Sequence, residues 1–82
     1  MELIVFTSPN CAKCRDALRN ASLAARKSTP FSVLERSLDS KAAMLFKPTT
    51  APELVALKDS QPFGRLLGVP TVEAIIELMK KA

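Results

Sequence analysis

Leu3-Ile4-Val5-Phe6 is an unbroken apolar run near the start of the chain, bounded by the turn signal Ser8-Pro9-Asn10. A run this short and this uniformly apolar reads as a strand over Leu3 to Thr7 with no solvent side. Such a strand has to be covered on both faces, so the sheet that contains it needs helices above and below. Helical spacing begins straight after the turn. Cys14, Ala17, Leu18, Ala21 and Ala25 recur on one stripe, with charged residues between them. The alanines let this helix lie close against a sheet. Leu23 falls off the stripe, and the pattern does not account for it.

The remaining segments alternate in the same way. Lys27-Ser28-Thr29-Pro30 is a turn. Phe31 to Leu38 is the next strand, and Glu35 and Arg36 suit it to a sheet edge. Asp39 or Ser40 caps a short helix over Lys41 to Lys47, which Pro48 ends. Glu53 to Leu57 is a third strand. The polar stretch Lys58-Asp59-Ser60-Gln61-Pro62 turns the chain into a fourth strand at Phe63 to Leu67, giving a hairpin. Pro70 suits the first turn of a last helix with Val72, Ile75, Ile76 and Met79 on its apolar face. The order strand, helix, strand, helix, strand, strand, helix implies a parallel first pair with a right-handed crossover and an antiparallel hairpin beside it.

Cys11 and Cys14 are the only cysteines, spaced as Cys11-Ala12-Lys13-Cys14 at the start of the first helix. The partial positive charge of a helix N-terminus stabilises a thiolate, and Lys13 adds a cation beside it. Cys11 is therefore the expected nucleophile. Cys14 lies on the apolar stripe, so it is the more buried thiol, placed to resolve a mixed disulfide. The chain has no histidine, tryptophan or tyrosine. Ser-His and Cys-His catalysis and histidine metal ligation are excluded. Two cysteines alone fall short of a structural zinc site unless two chains or carboxylates contribute, so no metal ligand is assigned.

The formal charge is +4, and Lys13, Arg15, Arg19, Arg26 and Lys27 all lie on the first helix. They form either a solvated face or a surface that attracts an acidic partner or an anionic thiol such as glutathione. Basic residues are not interleaved with aromatics, so nucleic acid is not an expected partner. The N-terminal apolar run is too short for a signal-peptide core, and no segment approaches a membrane span. A soluble cytoplasmic monomer is the expectation.

The element order resembles the minimal thioredoxin fold, with Cys11-x-x-Cys14 opening the first helix and Thr50-Ala51-Pro52 leading into the third strand. It looks most like a glutaredoxin, or the small glutaredoxin-like redoxins that reduce ribonucleotide reductase. The resemblance covers essentially all of residues 1–82, read as one glutaredoxin-like domain. It implies an α/β fold of β-α-β-α-β-β-α order, with a four-stranded mixed sheet and helices on both faces. It also implies a cis bond before Pro52, and substrate contacts from Thr50, Ala51, Pro52 and Gly68. Pro70 is not the family's proline, because only a helix follows it. Several family positions differ here. Ala12 and Lys13 stand where many glutaredoxins have proline and an aromatic, Ser8 stands where a lysine is common, and the segment after Gly68 lacks its acid.

The implied activity is thiol–disulfide oxidoreduction of protein disulfides or glutathione mixed disulfides, with ribonucleotide reductase as one substrate the resemblance suggests. No resident cofactor is expected. Glutathione or a thioredoxin reductase would supply electrons. Two alternatives remain open on the residues: an adaptor that uses the redox fold for binding, and an iron–sulfur or zinc site shared by two chains.

Overall fold

The computed structural model describes residues 1–28 and 30–81. Thr29, in the expected turn at Lys27–Pro30, and Ala82, the last residue of the expected domain, lie outside that description. Seven elements follow the expected order: β1 Glu2–Thr7, α1 Ala12–Lys27, β2 Ser32–Ser37, α2 Lys41–Phe46, β3 Glu53–Lys58, β4 Gln61–Leu67 and α3 Val72–Met79. The sheet runs β2-β1-β3-β4. β1 is parallel to β2 and antiparallel to β3, and β3 is antiparallel to β4.

The central strands β1 and β3 explain the layering. Leu3 to Phe6 and Leu54 to Leu57 are all buried. Leu3, Val5, Leu54 and Ala56 face α1 and α3, where they meet Ala17, Ala21, Ala24, Ile75, Leu78 and Met79. Ile4, Phe6, Val55 and Leu57 face the other way, onto Ala43 and its neighbours in α2. Edge strand β2 keeps Glu35 and Arg36 exposed, and Glu35 accepts a 3.1 Å hydrogen bond from the Thr7 hydroxyl.

Local chemistry sets the boundaries. Ser40, and not Asp39, caps α2 by accepting from the Ala43 amide, and Lys47 ends that helix in a left-handed conformation (φ 52°) just before Pro48. The β3–β4 turn is shorter than expected. Asp59 and Ser60, both at positive φ, make a two-residue hairpin, so Gln61 and Pro62 belong to β4. Proline is tolerated there because β4 is an edge strand with a bulge where it crosses Ala56 and Leu57. Pro70 precedes α3 instead of sitting in its first turn, since Thr71 is the cap and accepts from the Ala74 amide. On α1 the buried stripe turns through Ala24 and leaves Ala25 and Leu23 only partly covered. On α3, Leu78 joins the buried face because it fills the space over Gly64, where a Cβ would collide with it. Among the described residues no helix is long and apolar enough to cross a membrane.

The alanine seam makes the distance between α1 and the sheet a testable quantity. Ala21→Leu should destabilise the protein by about 1–3 kcal/mol through overpacking, whereas Ser22→Leu on the exposed side should change stability by less than about 0.5 kcal/mol. Urea unfolding midpoints with an unchanged denaturant slope would measure both.

Candidate functional site

Cys11 adopts an extended conformation immediately before α1 and is its N-cap. Its sulfur accepts a 3.1 Å hydrogen bond from the Cys14 amide, one of the donors that a helix start leaves without a partner. Cysteine thus takes the place that serine or aspartate usually fills. The preceding Asn10 turns the chain with a positive φ of 56°, a conformation asparagine tolerates better than most residues. Cys11 and Cys14 are joined as a disulfide with a Cα–Cα distance of 5.3 Å. Cys14 is 3% exposed, whereas Cys11 is only partly covered. Lys13 and Arg15, on either side of Cys14, are exposed, and the first turn of α1 carries no acid.

Strand register brings the other candidate residues to the same end of the sheet. Phe6 pairs with Glu53, and Glu53 pairs with Leu67. The chain therefore leaves β1 toward Cys11, enters β3 from Pro52 and leaves β4 toward Gly68, all at one edge of the layers. The Ala51–Pro52 bond is cis. Pro52 is buried, Ala51 partly covered and Thr50 exposed. The Gly68 amide donates to the Pro52 carbonyl at 3.0 Å, which ties the two loops together. Gly68 has φ +72°, and the space where a Cβ would lie is open. This is a conformation that only glycine adopts without strain. Asn20 on α1 donates to the Pro70 carbonyl at 2.9 Å, holding the segment after Gly68 against the cysteine-bearing helix. Leu67 and Val69, which flank Gly68, are exposed.

One part of the site was not foreseen. Glu53, directly after Pro52, is 1% exposed on the α2 side of the sheet. Its carboxylate accepts from the Thr49 amide at 3.0 Å, from the Thr49 hydroxyl at 3.2 Å and from Arg65 at 2.6 Å. A second guanidinium nitrogen of Arg65 donates to the Phe46 carbonyl at the end of α2. A single carboxylate therefore fastens the loop from Phe46 to Pro52, the loop that presents Thr50 and Ala51. The available signal was an acid bordering the apolar run Leu54–Leu57, with an arginine on the neighbouring strand. Arg65 pairs with Val55, which puts it diagonally beside Glu53 on the same face. Among the described residues, no group of three or more His, Cys, Asp or Glu side chains could hold a metal ion.

No protein-family model matches the sequence, and a search of curated proteins finds no match. Solved structures match it closely in shape. A malaria parasite thioredoxin-2, described as a component of the protein secretion machinery, is 19% identical with a TM-score of 0.83, over 99% of this chain and 82% of that one. A point mutant of Halobacterium salinarum thioredoxin is 20% identical with a TM-score of 0.84, over 98% of this chain and 72% of that one. The oxidised mitochondrial thioredoxin 3 of Saccharomyces cerevisiae is 19% identical with a TM-score of 0.81, over 99% and 77%. The chain has the α/β thioredoxin-like fold.

The Glu53 anchor predicts an asymmetry between its two partners. Arg65→Ala leaves a buried carboxylate without its cation and should cost about 2–4 kcal/mol. Thr49→Ala removes one hydroxyl donor and keeps the amide, so it should cost about 1 kcal/mol. Thermal unfolding of the two variants would rank them, and equal losses would contradict the assignment of Arg65 as the main partner.

Proposed function

We propose that this protein is a dithiol–disulfide oxidoreductase that reduces protein disulfides. The observation that carries this reading is the Cys11 sulfur at the N-cap of α1, bonded to a buried Cys14 and reached by the Cys14 amide. In the reduced protein the same geometry favours the Cys11 thiolate. A helix N-terminus stabilises negative charge within its first turn, and Lys13 adds a cation.

The reaction follows from which sulfur is accessible. The Cys11 thiolate attacks one sulfur of a substrate disulfide. That bond breaks, the first substrate sulfur leaves as a thiolate and takes up a proton, and a mixed disulfide forms at Cys11. Cys14 then gives up its proton and attacks the Cys11 sulfur. The Cys11–Cys14 bond forms, and the second substrate sulfur leaves and is protonated. Two electrons and two protons have passed to the substrate.

Thr50 and Ala51, fastened by Glu53, offer backbone beside Pro52 for an extended substrate segment to pair with as an added strand. The open space at Gly68 and the exposed Leu67 and Val69 give that segment room and an apolar contact. For regeneration we favour a glutaredoxin-type route, in which two molecules of glutathione return the electrons and leave as glutathione disulfide. The exposed cations Lys13 and Arg15 beside the cysteine pair support this choice, because glutathione is an anion at neutral pH.

Cysteine variants separate this reading from an adaptor role. Cys11→Ser should abolish reduction of a disulfide substrate such as insulin. Cys14→Ser should accumulate mixed disulfides at Cys11, visible as mass adducts released by reductant. Unimpaired turnover in Cys11→Ser would refute the proposal. The donor is a separate question. Glutathione should reduce the oxidised protein, and reduction by thioredoxin reductase with NADPH but not by glutathione would reject the glutaredoxin-type route.

A further inference from the structure

The net charge of +4 resides on one element. α1 carries five basic residues and one acid, while the seven basic and seven acidic residues elsewhere cancel. At about 100° per residue, Arg15, Arg19 and Arg26 fall within about 40° of arc on the outer face of α1, spread over about 16 Å of helix. All three are exposed, and small Ser22 occupies the gap between Arg19 and Arg26 on the same face. Arg19 is held by Asp16 at 3.1 Å with 68% of its side chain exposed, a contact too weak to neutralise it. Arg15 and Arg26 make no ion pair among the described residues. The stripe is made of arginine, whose planar fork matches carboxylates in a bidentate way. It starts one residue beyond Cys14, so a protein docked on it reaches the cysteine end of the helix.

We propose that the outer face of α1 is a docking surface for an acidic segment of the disulfide-bearing protein partner. The inference rests on the oxidoreductase reading and adds the partner's chemistry to it. Charge complementarity is the argument: a neutral body with one cationic ridge orients an acidic partner so that the ridge, and the cysteines at its end, meet it first. A nucleic acid is the less favoured occupant, because none of the four phenylalanines is exposed for base stacking.

The test uses two model peptides with the same disulfide, one extended by a run of aspartate and glutamate and the other by serine and glycine. At low salt the wild-type protein should reduce the acidic peptide with a kcat/KM about tenfold or more above the neutral one, and the advantage should vanish near 0.5 M salt. Arg19→Glu with Arg26→Glu should abolish the advantage and leave the neutral-peptide rate unchanged. Lys41→Glu with Lys58→Glu makes the same change in net charge away from α1 and should preserve it. Equal rates on the two peptides, or equal loss in both double variants, would overturn the inference and leave the redox reading intact. Failure to reduce either peptide, with Cys11→Ser indistinguishable from wild type, would sink the redox reading itself. Displacement of the acidic peptide by a short DNA duplex at physiological salt would assign the ridge to nucleic acid and also overturn the inference.

Discussion

Burial of the central strands on both faces is the constraint from which the architecture follows. Leu3, Val5, Leu54 and Ala56 cannot be covered by the elements that cover Ile4, Phe6, Val55 and Leu57. Helices are therefore needed on two sides, and the short chain supplies them in alternation with its strands. Fully burying a side chain of this size contributes about 1.5–3 kcal/mol, far more than any exposed ion pair in the molecule. The layering also decides where chemistry can occur. The faces of β1 and β3 are occupied, so reactive groups collect where strands end and loops begin. Cys11, Thr50–Pro52 and Gly68 all lie at that one end.

The polar anchoring of that end complements its apolar body. A buried carboxylate is unfavourable unless its lone pairs are filled, and Glu53 has an amide, a hydroxyl and a guanidinium around it. Arg65 extends the arrangement to the last carbonyl of α2. In the loop between α2 and β3, Thr49 and Thr50 are both exposed, while Pro52 at its end is buried. Its position is set by the residue that follows Pro52 as much as by the proline.

Much of this was legible in the chain, and the failures have physical causes. Continuous apolar runs and helical spacing gave the element order, because burial on a fixed period leaves a direct trace. Leu78 was missed because its cover comes from the absence of a side chain at Gly64, a relation across the sheet and not along the helix. Gln61 and Pro62 read as turn residues, yet an edge strand does not need the amide that proline lacks. Ala24 and Ala25 are equivalent by composition, and only the path of α1 over the sheet selects between them. Glu53 went unrecognised because its partners, Thr49 and Arg65, come from a loop and another strand. The cis bond at Pro52, which the structure has, was expected from the family resemblance alone, since most bonds before proline are trans.

The start of α1 combines two departures from ordinary helix design. Acids are favoured in a first turn by about 0.3–1 kcal/mol each, yet this one has none and carries Lys13 and Arg15 close to its start. An acid there would compete with the Cys11 sulfur for the same amides and would repel a thiolate. Serine or aspartate at the cap would accept the same amide, but neither carries a sulfur that can bond to Cys14. The first turn is free of acids, and the same cationic character continues outward along Arg19 and Arg26. Local helix energetics and long-range charge thus act in one direction: both favour negative charge at this end of α1.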